Sequence, residues 1–574
     1  MGTTPASLVD ILHRRASNEP DRLAYRFLMD GEYEEVVITY QELDRRARSI
    51  GSFLQQFTKA GDRALLLFPP GLDFIAAYFG CLYARIIAVP AYPPHNARLE
   101  KSIHLTRRIV DDARPALALI SSSLFSAINS LDSVKDIFAD TRLVAIDNIE
   151  TNDWCEKWRE QKIGTNEIAF LQYTSGSTTT PRGVMVTHGN LLHNLELIER
   201  SFGQSSQSHA VIWLPPYHDM GLVGGILQPL FSGYPVTLMP HLMFLQRPYR
   251  WLAAISRFQS TTSGGPNFAY DLCVRKIKPE QRASLDLSSW EVAFNGAEPV
   301  YYKSLDQFAD YFGPCGFRRE AFLPCYGLAE STLLVSGGPK SKLPEIKCLE
   351  NSPLEQNQVS FCDESTTNKR VLVGCGHYQP DLHIKIVDPV TLKPSPANEV
   401  GEIWLRGPSV ASGYWNKSSD TKLTFNAHFS DTGEGPFLRT GDLGFVQDGE
   451  LFIAGRMKSL IISEGKNHYP HDIERTVEES NEAIKPGSCA VFSVNNFSAE
   501  QVIVIVELAH DDKWNQDEIR KDIRNSISAC HDLKVNDIRI IAPGKIPRTT
   551  SGKIKHHLCK ENYVDGLFNE TILI

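Results

Sequence analysis

One rhythm constrains the fold more than any other feature of the chain. Short aliphatic or β-branched runs alternate with stretches whose apolar residues recur at helical spacing. Thr39-Tyr-Gln-Glu42 follows the run Val36-Val-Ile-Thr39 and sets a hydroxyl three residues ahead of a carboxylate, the signature of a helix start. Leu43, Ala47, Ile50, Leu54 and Phe57 then share one helical face. Ala64-Leu-Leu-Leu-Phe68 reads as a buried strand closed by Pro-Pro-Gly. Residues 117–120, 143–146, 211–214 and 236–239 repeat the pattern. Parallel strands need helical crossovers and are buried on both faces, so the rhythm predicts an α/β fold with largely parallel sheets.

Two stretches depart from it. Residues from about 340 to 368 are polar and aperiodic, too long for a bare connector inside a domain. Beyond Gly455-Arg-Met-Lys458 the pattern becomes a compact α+β unit, with a buried strand at 502–508 and a charged helix from about 517 to 530. A boundary near Lys458 is expected, giving domains 1–457 and 458–574.

Composition narrows the class. The 574 residues are 42% apolar and 22% charged, which supports a large core and argues against disorder. Acidic side chains outnumber basic ones 68 to 59, so no nucleic-acid partner is expected. Eleven cysteines without CxxC spacing suit reduced thiols and a cytoplasmic location. The longest apolar stretch, residues 74–84, is too short to span a bilayer. The opening residues show no secretory signal, and Ala6 stands where a myristoylation pattern wants Ser or Thr.

The most informative motif is Tyr173-Thr-Ser-Gly-Ser-Thr-Thr-Thr-Pro-Arg-Gly183, set between strand-like residues 168–172 and 184–187. The hydroxyls and N–H groups of Thr174, Ser175, Gly176, Ser177 and Thr178 can donate to phosphate oxygens, and Arg182 adds a cationic fork. A polar hairpin loop is an equal reading of the local composition. The loop is not of Walker type, since no Gly-Lys-Ser/Thr follows.

This stretch resembles the phosphate-binding signature of the acyl-adenylate-forming superfamily, with Thr179 in place of a Gly and Arg182 in place of a Lys. Further stretches resemble that superfamily's remaining signatures, in its order. Phe294-Asn-Gly-Ala-Glu298 resembles the segment lining the adenine pocket, which implies contacts from Gly296, Ala297 and Glu298. Cys325-Tyr-Gly-Leu-Ala-Glu330 resembles the next motif. There the resemblance implies that Tyr326 stacks on adenine, that Gly327, Leu328 and Ala329 line the nucleotide, and that Glu330 ligates Mg²⁺. Leu438-Arg-Thr-Gly-Asp442 resembles the ribose motif, with Asp442 accepting from the sugar hydroxyls. Gly455-Arg456-Met-Lys458 resembles the hinge, with Arg456 near ribose or phosphate, Lys458 as pivot and Ser459 where Asp is common. Ile546-Pro-Arg-Thr-Thr-Ser-Gly-Lys553 resembles the signature carrying the adenylating lysine.

The resemblance implies a large multi-subdomain N-terminal adenylation domain with a small mobile α+β C-terminal domain. It also implies ATP and Mg²⁺ as cofactors. Three features are similar to the fatty acyl-AMP ligase branch: residues 7–22, the run Asn467-His-Tyr-Pro470-His-Asp-Ile-Glu474, and the polar segment at 340–368. In that branch the segment is an insertion that restrains the C-terminal domain and disfavours CoA use. The implied substrate is a medium- or long-chain fatty acid. The implied acceptor is an acyl carrier protein, or a carrier domain of a polyketide or peptide synthase. An acyl-CoA synthetase and a non-catalytic acyl- or nucleotide-binding regulator are the alternatives. Trp213-Leu-Pro-Pro-Tyr-His218 resembles the border of the acyl pocket, so His218 is a candidate for substrate contact or gating, and a packed histidine is nearly as good a reading. Phe268 is a weaker candidate for the acyl wall. The histidines show no metal-site spacing, so no structural zinc is expected.

Overall fold

A computed structural model of the chain describes residues 5–94, 99, 103–149, 154–174, 181–463, 466–496, 499–509, 514–549 and 552–568. The first sheet has six strands in the order Arg142–Ala145, Leu117–Ile120, Arg63–Leu67, Ile87–Pro90, Ile168–Thr174, Arg182–Thr187. Every junction is parallel except the last, an antiparallel hairpin. Thr39 and Glu42 close the capping box of helix Tyr40–Leu54, whose Leu43, Ala47, Ile50 and Leu54 are buried. The long apolar stretch is helix Leu72–Tyr83, buried from Phe74 onward against that helix. Among the described residues no helix is long and apolar enough to cross a membrane.

Inside its edge strand Glu35–Thr39, which is antiparallel to Leu23–Leu28, the second sheet begins as the rhythm predicts. Leu23–Leu28, Val236–Leu238, Ala210–Ile212, Thr262–Gly265, Val292–Asn295 and Phe322–Gly327 lie side by side and parallel. It then continues as Leu334–Gly337, Lys369–His377, Glu450–Arg456, Leu438–Gln447, Gly401–Arg406 and His383–Val387, all antiparallel. This antiparallel half corrects the expectation of largely parallel sheets. Its strands are joined without helical crossovers. The tightest link is Asp448-Gly449, with φ of 53° and 81°, the geometry that suits a two-residue hairpin turn.

The polar segment at 340–368 is also more ordered than its composition suggests. Ile346–Glu350 pairs antiparallel with Lys369–His377, and Asn351–Leu354 forms a single helical turn. Leu349, Leu354 and Val359 bury into a cluster with Leu443, Phe445, Phe452 and Tyr469. Three anchors five residues apart suffice for order, and that spacing matches neither the helical nor the strand period.

From Ile461 the chain builds a smaller unit. Ala499–Leu508 is the middle strand of three, antiparallel to Ile484–Asn496 and parallel to Asp537–Ile541. Val502, Val504 and Val506 pack on Ile519, Ile523 and Ile527 of helix Gln516–His531. Ile503 and Ile505 face the opposite core with Ile541 and Cys559.

Candidate active site

The strands Val292–Asn295 and Phe322–Gly327 deliver their C-terminal ends, and Leu438–Gln447 its side chains, to a cleft of about 1850 Å³ that the C-terminal unit covers. Register sets Asp442 opposite Arg456 on neighbouring strands. Arg456 Nε donates to Asp442 Oδ1 at 2.8 Å, and the Tyr326 hydroxyl donates to Oδ2 at 2.8 Å. The Asp442 carboxylate pushes the Arg456 guanidinium further above its ordinary range, although burial opposes this. Burial, followed by the same carboxylate, pushes the Tyr326 phenol up.

After Tyr326 the chain must turn tightly. A Cβ on Gly327 would stand 1.9 Å from the Leu333 carbonyl oxygen, so only glycine fits there. The turn presents Glu330, whose Oε1 accepts from the Tyr414 hydroxyl at 2.8 Å. The Leu328 N–H donates to the Leu333 carbonyl, and Ala329 opens a short 3₁₀ turn. Arg182 lies 5.2 Å over the Tyr414 ring and pairs with Asp420 Oδ2 at 3.1 Å. Thr174 is its register partner across the hairpin. Ser175, Gly176, Ser177 and Thr178 lie outside the described residues.

Past Gly296, Ala297 adopts a φ of 69° and Thr332 one of 67°, rare conformations for residues with a Cβ, and a cleft between domains is where such strain tends to be held. The carbonyl oxygen of Ala297 accepts from Lys553 Nζ, brought in by the C-terminal unit. Lys553 stands in a turn closed by the Thr549 N–H on the Lys553 carbonyl at 2.7 Å. Desolvation in the cleft pulls the Lys553 ammonium down, opposed by the Glu298 and Asp219 carboxylates. Desolvation pushes Glu298 up, although Oε1 accepts the Phe268 N–H at 2.7 Å. For Asp219 the same desolvation is outweighed by the His218 imidazole at 2.6 Å and by Lys553, leaving its carboxyl below the usual range. Phe268 packs edge-on against Trp213, with ring centroids 6.2 Å apart.

The chain matches the AMP-binding enzyme family over residues 12–415. It belongs to that family. Residues 458–571 further match the Disco-interacting protein 2-like AMP domain. The chain is 43% identical to the medium-chain-fatty-acid–[acyl-carrier-protein] ligase JamA of Moorena producens, over 98% of this chain and 96% of that protein. It is 34% identical to the ligase of the same description, TtuA, of Teredinibacter turnerae, over 97% and 94%. Among solved structures it resembles the fatty acyl-adenylate ligase from L. pneumophila in complex with acyl adenylate and pyrophosphate. That likeness has 40% identity and a TM-score of 0.76, and covers 97% of this chain and 96% of that one.

This AMP-binding chain is an adenylate-forming ligase, and its cleft gathers most of the residues singled out from sequence. His218, Ala297, Glu298, Tyr326, Gly327, Leu328, Ala329, Glu330, Asp442, Arg456 and Lys553 all line it, as do Thr174 and Phe268. Arg182 is engaged with Asp420 at the loop's base. Two residues in contact with these side chains were not legible in the sequence motifs. Asp219 is adjacent to His218, and an acid next to a candidate histidine was a usable signal. Tyr414 gave none, because it reaches Glu330 across 84 positions.

Proposed function

We propose that the chain uses ATP to convert a medium- or long-chain fatty acid to acyl-AMP and then passes the acyl group to the phosphopantetheine thiol of a carrier protein in the cytoplasm. The observation that carries this reading is the contact of Lys553 with Ala297, which sets an ammonium from the C-terminal unit among Glu298, Asp219 and His218. A fatty carboxylate oxygen attacks the α-phosphorus, and the bond to the leaving pyrophosphate breaks. Lys553 neutralises charge between carboxylate and α-phosphate, work of positioning and electrostatics. Asp442 and Arg456 hold the ribose side, and Tyr326 and the 296–298 turn hold adenine. The loop at 174–178 holds phosphate oxygens. Arg182, paired with Asp420 through Nε, has further guanidinium N–H donors for those oxygens.

Glu330 fits a Mg²⁺ role, because that cation is commonly held by one or two carboxylates plus substrate phosphates. Mg²⁺ bound there would offset phosphate charge. His218, fixed by Asp219, borders the acyl end.

Residues 1–457 form the adenylation domain in this reading, and 458–574 the lid, pivoting at Lys458. The segment at 340–368 restrains the lid. Support comes from the Asn467 N–H on the Glu355 carbonyl at 2.9 Å, Asn467 Nδ2 on Asn357 Oδ1 at 3.0 Å, and Tyr469 in the shared cluster. Arg370 adds a pair with Asp472 at 2.9 Å while lying 4.2 Å over the Tyr469 ring. Pyrophosphate release with ATP, Mg²⁺ and fatty acids of graded length, with acyl-AMP identified by mass, tests the reading. Release that does not depend on fatty acid would refute it.

A further inference from the structure

The lid carries a cluster for which adenylation has no use. His471 and Glu474 lie one turn apart on helix Pro470–Ser480, and His556 opens helix His556–Val564. His471 Nδ1 is 3.1 Å from Glu474 Oε2, and His556 Nε2 is 2.6 Å from Glu474 Oε1. One donor atom from each residue lies within 4.8 Å of the other two. Two imidazoles and a carboxylate form the donor set that zinc takes at sites with an open fourth position. Ligand atoms on a tetrahedral zinc stand about 3.3 Å apart, as follows from metal–ligand distances near 2 Å. The two contacts to Glu474 lie within about 0.7 Å of that spacing.

The surroundings match as well. A metal-bound imidazole characteristically donates its other ring N–H to a carbonyl or carboxylate, and a ligating carboxylate accepts a hydrogen bond of its own. Glu474 Oε1 accepts the Val491 N–H at 2.9 Å, the kind of outer bond a ligating carboxylate takes. All three side chains line the cleft, which leaves the fourth position open to water. All three also belong to the lid, so the cluster survives lid rotation.

We propose that His471, Glu474 and His556 bind one divalent cation of the zinc type, which fastens the segment carrying Lys553 to the first helix of the lid. The spacing hid this from sequence, since the third ligand lies 82 positions beyond Glu474.

The test uses the full chain, stripped with EDTA and held in excess Mg²⁺ so that hard oxygen sites are occupied. Co²⁺ is titrated and its visible ligand-field bands are read, followed by displacement with Zn²⁺. The proposal predicts one Co²⁺ per chain, bands of a four- or five-coordinate site, and a rise in melting temperature with Zn²⁺. His471→Ala should weaken Co²⁺ binding by more than the roughly 10–100-fold that loss of an outer partner costs, and abolish the Zn²⁺-dependent rise, while its metal-free form melts like metal-free wild type. His556→Gln, which keeps a donor toward Glu474, should also lose the bands. A bare hydrogen-bonded triad predicts no bands in any form. That result, or bands unchanged in both variants, overturns the proposal.

Discussion

Lys553 donates to the carbonyl oxygen of Ala297 across 256 positions of sequence. The acceptor stands at a φ of 69° and the donor follows Gly552 at 89°, so two unusual turns meet at one point of the cleft. Lys553→Ala is expected to lower acyl-AMP formation by about 10²–10³-fold, the usual cost of removing one donor from a developing charge. ATP binding should change far less. Fatty-acid-dependent pyrophosphate release near the wild-type rate in this variant would remove Lys553 from the chemistry.

Asp442 behaves differently. It is already held by Arg456 and Tyr326, and its proposed ribose contact exists in ground and transition states alike. Asp442→Ala should therefore raise the KM for ATP more than it lowers kcat. Steady-state kinetics at saturating fatty acid measure this. An unchanged KM would place Asp442 outside the nucleotide site.

Acid should unfold the protein through buried histidines. His188 is 3% exposed, its Nδ1 meets no hydrogen-bond partner among the described residues, and burial pulls its pKa down to about 4. Burial pulls His209 down to about 4 too. Near pH 6.5 and below, the unfolded chain binds protons that the folded chain refuses. Stability is thus full above pH 6.5 and falls as pH drops toward 4, by on the order of 3 kcal/mol for His188. Melting temperatures from pH 7.5 to 4.5 should fall less steeply in His188→Gln. Parallel profiles would contradict the assignment.

The restraint on the lid is open to a lighter test than removing the whole segment. Excising residues 341–368 would strip a paired strand and expose the cluster around Leu349 and Leu354. Asn357 has a φ of 62°, so Asn357→Gly deletes the side-chain bond to Asn467 and keeps the backbone comfortable. One such bond is worth about 0.5–1.5 kcal/mol. The share of product leaving as acyl-CoA should accordingly rise by roughly 2–10-fold. Liquid chromatography of products made with CoA present decides it, and an unchanged share speaks against the restraint.

Sequence exposed what repeats or stands close together. The helix Tyr40–Leu54 was legible because Leu43, Ala47, Ile50 and Leu54 share a period. The antiparallel half was not, since its strands lack crossovers and its clearest mark, Asp448-Gly449, is only two residues long. Signature motifs pointed to Asp442, Glu330 and Lys553, which line one cleft. Tyr414, Asp420 and the histidines around Glu474 meet their partners through contacts that only the folded chain makes.

On the proposed function, the acyl adenylate is made for a carrier protein and not for CoA. Purified full-length chain, ATP, Mg²⁺ and a medium- or long-chain fatty acid should be supplied with CoA, with a phosphopantetheinylated carrier protein, or with neither, and the products weighed by mass spectrometry. Acyl-AMP and pyrophosphate are expected in all three, acyl-carrier thioester in the second, and little acyl-CoA in the first. Acyl-CoA as the main product, formed as fast as pyrophosphate, would contradict it.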